Sequence, residues 1–353
     1  MASLWPAEVR PVPRLRRGDR IAVVAPSDGL APSFPAVYRR GLDALRELGL
    51  EPIEFRTATL SGEELYRSPK RRACDLREAL ARDDVQGVIS VVGGYESIRL
   101  FTHLRTSYFA SHPKFMMGGS DATTYLLFAR RAGVVGFYGP SVMAGLSQMN
   151  DLPPEFRLHL ERFLFDRWDR FEYAPYSSYT HGYTSWTASE PGGIQTLNGT
   201  AGGWSVLQGT VPVEGHLFGG CIEVIEFLKG TRYWPPPGYF RNVVLFLETS
   251  EERPPPQRVG YMLRNYGVAG IFRRASALLF GRPKDYSAAD VEKLHATIIA
   301  IVRDEFGRRD IPIFTNVDFG HTDPKLIVPI GGRVRIDPLE KRITLVSSPF
   351  IDR

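Results

Sequence analysis

The chain has 353 residues, 43% of them hydrophobic and 24% charged, with a formal net charge of +5. That length suits two domains, and the balance is that of a soluble globular protein, not of a disordered or fibrous one. Its two cysteines, Cys74 and Cys221, argue against a disulfide framework and fit a reducing compartment. Arginine supplies most of the positive charge in scattered pairs such as Arg16-Arg17, Arg71-Arg72 and Arg273-Arg274. Such pairs read as solvated surface, whereas a nucleic-acid binder concentrates charge on one face. The N-terminus lacks the apolar run of a signal peptide, and no stretch of about 20 apolar residues is present. The expectation is a cytoplasmic enzyme with no nucleic-acid or membrane partner.

In chain order, short apolar runs alternate with helical patterns. The runs are 20–25 (RIAVVA), 52–56 (PIEFR), 85–92 (VQGVISVV), 114–118 (KFMMG) and 134–138 (VVGFY), with helices expected over 34–48, 69–82, 95–104 and 122–132. This alternation predicts a parallel sheet covered by helices. A helix is expected at 155–165. The stretch YAPYSSYTHGYTSWTASEPGG then has the composition of a linker or a substrate-facing loop. Beyond it, strands are expected at 204–207, 242–247, 277–280, 313–316, 325–330 and 343–346, with helices at 221–228, 257–266 and 288–306. The domains expected are 1–165 and 196–353, joined by 166–195. The fold class is α/β: an N-terminal parallel-sheet, flavodoxin-like domain and a smaller β-rich α/β domain.

KFMMGGSDATTYLLFARRAG has the order strand, tight turn, helix. This is the arrangement of a nucleophile elbow, with Ser120 on the turn and helix N–H groups behind it to meet a developing oxyanion. The plain alternative is that Ser120 or Asp121 caps the helix. Gly93-Gly94 follows the preceding strand and is expected at the same sheet edge, where ligands of such folds bind. Its alternative is a turn requiring positive φ.

A serine nucleophile needs a base and an orienting acid. Of the seven histidines, His321 alone stands in a glycine-flanked loop after an apolar strand. Glu248 closes the apolar run RNVVLFLE and, if buried there, requires a partner. Glu251, Glu252 and Asp323 compete for the orienting role. His321 with Asp323 also suggests two metal ligands, but no further cluster completes a metal site.

These segments resemble the LD-carboxypeptidase family, including its microcin C immunity branch. The resemblance runs in order through RLRRGDRIAVVAPS, VVGGYES, GGSDAT, FYGP, GHLFGGCIEVI, LFLETSEE and FGHTDPKLIVPIG. It implies an N-terminal α/β domain, a C-terminal β-rich domain with the active site between them, a homodimer, and a Ser–Glu–His triad. That triad falls on Ser120, Glu248 and His321, with an oxyanion hole at the backbone of Gly94 and Asp121. Gly93 and Tyr95 become substrate-binding candidates, and no cofactor is implied. GGWSVLQGTVPVEGHLFGG, FLKGTRYWP and GHTDP are similar to the microcin C immunity branch, which hydrolyses peptidyl- or aminoacyl-nucleotide conjugates. In that branch a tryptophan stacks on the nucleobase, and Trp204 is the candidate here; its alternative is a core position. The sequence departs from the family at Gly119, where an aromatic residue is usual, and at Cys221, where Asn is usual. The classical branch instead trims D-alanine from muropeptide tetrapeptides. An esterase of the α/β-hydrolase type and a non-enzymatic module binding a small ligand are the remaining alternatives.

Overall fold

A computed structural model describes residues 5–6, 8–187, 193–200 and 203–353. Two buried sheets organise it. The first has six strands in the order Val328–Ile330, Gly136–Tyr138, Phe115–Gly118, Gly87–Ser90, Arg20–Val24 and Glu51–Glu54. The last five are parallel. Numbered along the chain, their order is 2-1-3-4-5, the flavodoxin-like arrangement expected from sequence. Val328–Ile330 adds antiparallel to Gly136–Tyr138, so a strand from the second half of the chain finishes the first sheet.

The second sheet has eight strands. In order these are Ser205–Gln208, Ile313–Val317, Ala277–Gly281, Val243–Glu248, Val213–Cys221, Arg333–Asp337, Arg342–Leu345 and Phe171–Tyr173. Its centre is parallel, with Cys221 opposite Glu248 at the strand ends. All six residues of Val243–Glu248 are buried, as a parallel strand covered on both faces requires.

Helices Pro35–Glu47, Pro69–Ala81, Thr123–Arg131, Pro154–Phe165 and Pro256–Val268 lie where the sequence pattern places them. The helix expected over 95–104 is instead a 3₁₀ turn at Ser97–Thr102. The buried Asp121 carboxylate takes the Ser97 N–H at 2.8 Å, and the Ser97 hydroxyl donates to the Asp121 carbonyl at 2.7 Å. Those bonds tie the start of the segment to the serine turn. Of the expected connection 166–195, residues 188–192 lie outside the described residues. Its first part joins the second sheet as Phe171–Tyr173. Among the described residues no helix is long and apolar enough to cross a membrane.

Candidate active site

The carboxyl ends of strands from both sheets meet at one cleft of about 260 Å³, with Ser120, Gly93, Gly94, Tyr95 and His321 among its lining residues. Ser120 follows Gly119 just past the strand Phe115–Gly118, with φ of 55°, a left-handed conformation that is strained for a serine. Two bonds hold it there. Its N–H donates to the Tyr138 hydroxyl at 3.0 Å, and its carbonyl accepts the Thr123 hydroxyl at 2.7 Å. Glycines clear the surroundings. A Cβ on Gly93 would stand 2.7 Å from the Ser120 Cβ, and one on Gly119 would stand 2.8 Å from the Gly139 carbonyl. The second contact explains why this chain has glycine at 119: the strand end leaves no room for a side chain.

Asp121 does not cap the helix through its side chain. It is fully buried, and its carboxylate accepts from the Ser27 hydroxyl and the Ser97 N–H. Burial raises its pKa, against the lowering effect of those bonds. The carboxylate thus ties together the loops that carry Ser27, Gly94 and Ser120.

Glu248 ends its strand with no exposed surface. One carboxylate oxygen accepts the Tyr138 hydroxyl at 2.5 Å, and the other pairs with His321 Nδ1 at 2.8 Å. Of the acids that could pair with His321, Glu248 is the one that does so. Asp323 pairs with Lys325 at 3.3 Å, and Glu251 lies 4.0 Å from Lys284. Burial disfavours a charged His321, but the charge of Glu248 and its hydrogen bond outweigh this and hold the imidazole pKa above its ordinary value. With Nδ1 engaged, Nε2 is the ring nitrogen left for chemistry. The loop carrying His321 approaches so closely that a Cβ on Gly320 would meet Glu248 Oε2 at 2.5 Å, at a φ of +111°. Gly320→Ala is expected to cost about 1–3 kcal/mol of stability and to push Glu248 away from His321. Thermal unfolding together with turnover checks this; an unchanged Tm and full activity would refute it.

The two sheets are bolted together at this point. Besides the Tyr138–Glu248 bond, the Thr123 hydroxyl accepts the Cys221 N–H at 3.1 Å. Cys221 is fully buried beside Glu248, and burial first, then the nearby carboxylates, keep its thiol protonated.

Trp204 lies apart from this arrangement. It is only 3% exposed, and its indole N–H donates to Asp318 at 2.8 Å, so no ring face is open for a base to stack on. It is core, because the buried Asp318 needs donors; Arg282 and the Tyr176 N–H supply the others. The aromatic wall of the cleft comes from elsewhere. Tyr183 lines the cleft and stacks on Trp186 with centroids 4.6 Å apart. The segment bearing both is stitched to the His321 loop by paired bonds between Thr180 and Asp323, at 2.6 and 3.0 Å. Sequence reading assigned this tyrosine-rich stretch to a linker or a substrate-facing loop but singled out neither residue. Aromatics spaced through a polar Gly/Ser/Thr segment were the available signal.

Residues 21–139 match the model of the LD-carboxypeptidase N-terminal domain, and residues 214–336 match that of the LD-carboxypeptidase C-terminal domain. The chain belongs to the LD-carboxypeptidase family. It is 24% identical over 349 residues to the Escherichia coli microcin C7 self-immunity protein MccF, covering 93% of both chains. It is also 24% identical over 333 residues to a Bacillus subtilis protein named a probable murein peptide carboxypeptidase, covering 93% of this chain and 91% of that one. The solved MccF complex with aspartyl sulfamoyl adenosine superposes with a TM-score of 0.83 at 21% identity, covering 97% of this chain and 99% of that chain. The two-domain α/β fold is thus the one those proteins share.

Proposed function

We propose that this member of the family is a serine hydrolase that cleaves an amide bond through an acyl-enzyme, with Ser120 as nucleophile, His321 as base and Glu248 as the orienting acid. The observation that carries this reading is the Glu248 carboxylate, which holds His321 Nδ1 on one oxygen and reaches the Ser120 turn through Tyr138 on the other. Ser120 Oγ attacks the carbonyl carbon and its proton passes to His321 Nε2. That proton then goes to the leaving nitrogen as the C–N bond breaks, and water releases the acyl group by the same route. The N–H groups of Gly94 and Asp121 receive the oxyanion; losing one such donor costs ~10²–10³ in rate. The Ser120 N–H is already given to Tyr138 and is not among these donors.

The substrate this reading favours is a peptidyl- or aminoacyl-nucleotide conjugate. Its support is the Tyr183–Trp186 stack beside the cleft and the kinship with MccF, solved with aspartyl sulfamoyl adenosine. A stacked base contributes about 1–3 kcal/mol. Trp186→Ala is therefore expected to raise KM for an aminoacyl-sulfamoyl adenosine by roughly 5- to 150-fold, while leaving kcat near wild type. An unchanged KM would remove the stack from substrate binding.

A second reading, LD-carboxypeptidase action on a muropeptide tetrapeptide, has its own observation. Asp28, Glu223, Glu251 and Glu252 line the cleft, with Arg258 among them, although the whole chain is net positive. Such carboxylates suit a substrate bearing a free amino group. A side-by-side assay separates the two. Release of D-alanine from the tetrapeptide, with no turnover of the sulfamoyl adenosine, rejects the nucleotide reading. A homodimer and a cytoplasmic setting belong to the same proposal, and sedimentation tests the former.

A further inference from the structure

A single phenol touches both ends of the proposed triad. Tyr138 ends the strand Gly136–Tyr138 and is 1% exposed. Its hydroxyl accepts the Ser120 N–H at 3.0 Å and donates its one proton to Glu248 Oε1 at 2.5 Å. Its ring lies against Phe246, with centroids 5.9 Å apart, on the strand that carries Glu248. The residue therefore belongs to the first sheet and holds the acid of the second.

We propose that Tyr138 is a positioning residue for the hydrolysis, its hydroxyl setting the Ser120 turn and the Glu248 carboxylate relative to one another and tempering the pull of that carboxylate on His321. The inference rests on the triad reading above and adds to it a residue through which the two sheets are coupled at the reacting atoms. The physical reason is charge sharing. A carboxylate that accepts a phenol hydrogen bond spreads part of its negative charge onto the phenol, so less of it acts on the imidazolium. Burial first, and then the charge of Glu248, hold the Tyr138 hydroxyl protonated far beyond neutral pH, so it remains a donor throughout the working range.

Removing that hydroxyl has two consequences. The Ser120 N–H loses its acceptor, which loosens a turn already at positive φ. Glu248 keeps its full charge against His321, so the imidazole pKa rises. The other titratable groups acting on the pair are Cys221, Glu223, Glu251 and Lys325. All remain in a Tyr138→Phe protein, so a difference from wild type reports the phenol.

The test is the rate at which a fluorophosphonate labels Ser120 in the full chain as a function of pH. This probe requires no knowledge of the substrate. For Tyr138→Phe, labelling is expected to slow by about 10- to 100-fold, the scale of one hydrogen bond to a charged group. The acidic limb of the profile is expected to move to higher pH. In a Glu248→Gln background the same substitution is expected to leave the limb where it is. A wild-type rate and limb, a slowed rate with an unmoved limb, or an equal shift in the Glu248→Gln background each overturns the inference. A wild-type protein unlabelled at Ser120 sinks the hydrolase reading itself, and this inference with it. Should Tyr138→Phe fail to fold, difluorotyrosine at position 138 keeps the hydroxyl and strengthens it as a donor. The limb is then expected to move to lower pH, and an unmoved limb overturns the proposal.

Discussion

Replacing Ser120 with alanine is expected to leave the fold intact and to lower turnover by roughly 10⁴-fold or more. The turn does not depend on the side chain being removed. Its bonds run from the Ser120 N–H to Tyr138 and from the Thr123 hydroxyl to the Ser120 carbonyl. Alanine at φ 55° is no worse placed than serine. The chemistry, by contrast, has no substitute. Cys221 lines the same cleft but is held as a thiol by burial and by adjacent carboxylates, and a thiol is a poor nucleophile compared with its thiolate. Circular dichroism and thermal unfolding check the first half of the prediction, and hydrolysis of the preferred substrate checks the second. Near wild-type hydrolysis by the purified variant would remove Ser120 from the nucleophile role.

Glu248→Gln is expected to be almost as damaging, with a loss of about 10⁴-fold, for a different reason. An amide keeps the shape and still offers its oxygen to the Tyr138 hydroxyl. Its NH₂ group then faces His321 Nδ1, and a donor there favours the tautomer with Nδ1 unprotonated and the proton on Nε2. The nitrogen that must take the Ser120 proton already carries one. The pH dependence follows from the charge removed. In the wild type the Glu248 charge and hydrogen bond hold the His321 pKa up against burial. The neutral base therefore emerges only as pH rises past a value above the ordinary ~6.5. The same pairing stabilises the fold fully below the unfolded-state pKa, and this contribution is lost as pH rises through the folded-state value. In the glutamine variant burial and the charge of Lys325 lower the pKa, opposed only by the weaker pull of Glu251. The His321 pKa drops, and the acidic limb of the residual activity is expected to move to lower pH. A limb at the wild-type position would show that Glu248 does not set the imidazole's charge.

Some of this architecture can be read locally and some cannot. The first sheet was legible because each of its parallel strands is a short apolar run between helical patterns, and both periodicities are written in consecutive residues. The strand Val213–Cys221 was not. Its glycines at 215, 219 and 220 weaken the strand signal, yet each is required by a neighbour distant in sequence. A Cβ would meet the Asn242 carbonyl at 2.4 Å, the Phe246 carbonyl at 1.6 Å and the Thr123 hydroxyl at 2.5 Å, respectively. The strand Val328–Ile330 was expected among the strands of the second half, but nothing local says that it completes the first sheet.

The site divides in the same way. Ser120, His321 and Glu248 were each suggested by residues beside them: a glycine-bounded turn, a glycine-flanked loop and a carboxylate ending an apolar run. Trp204 and Trp186 were indistinguishable by local composition. That Trp204 is core depends on Asp318, more than 100 residues away, and that Trp186 stands beside the cleft depends on its stack with Tyr183. Short-range pattern thus determined most of the elements and nominated the candidate reacting groups, because helical and strand periodicity and turn chemistry act over a few residues. Tertiary structure alone decided that Glu248 faces His321, that Tyr138 joins the two sheets, and that Tyr183, stacked on Trp186, lines the cleft. Those outcomes are set by hydrogen bonds and close contacts between segments that meet only when both sheets are packed.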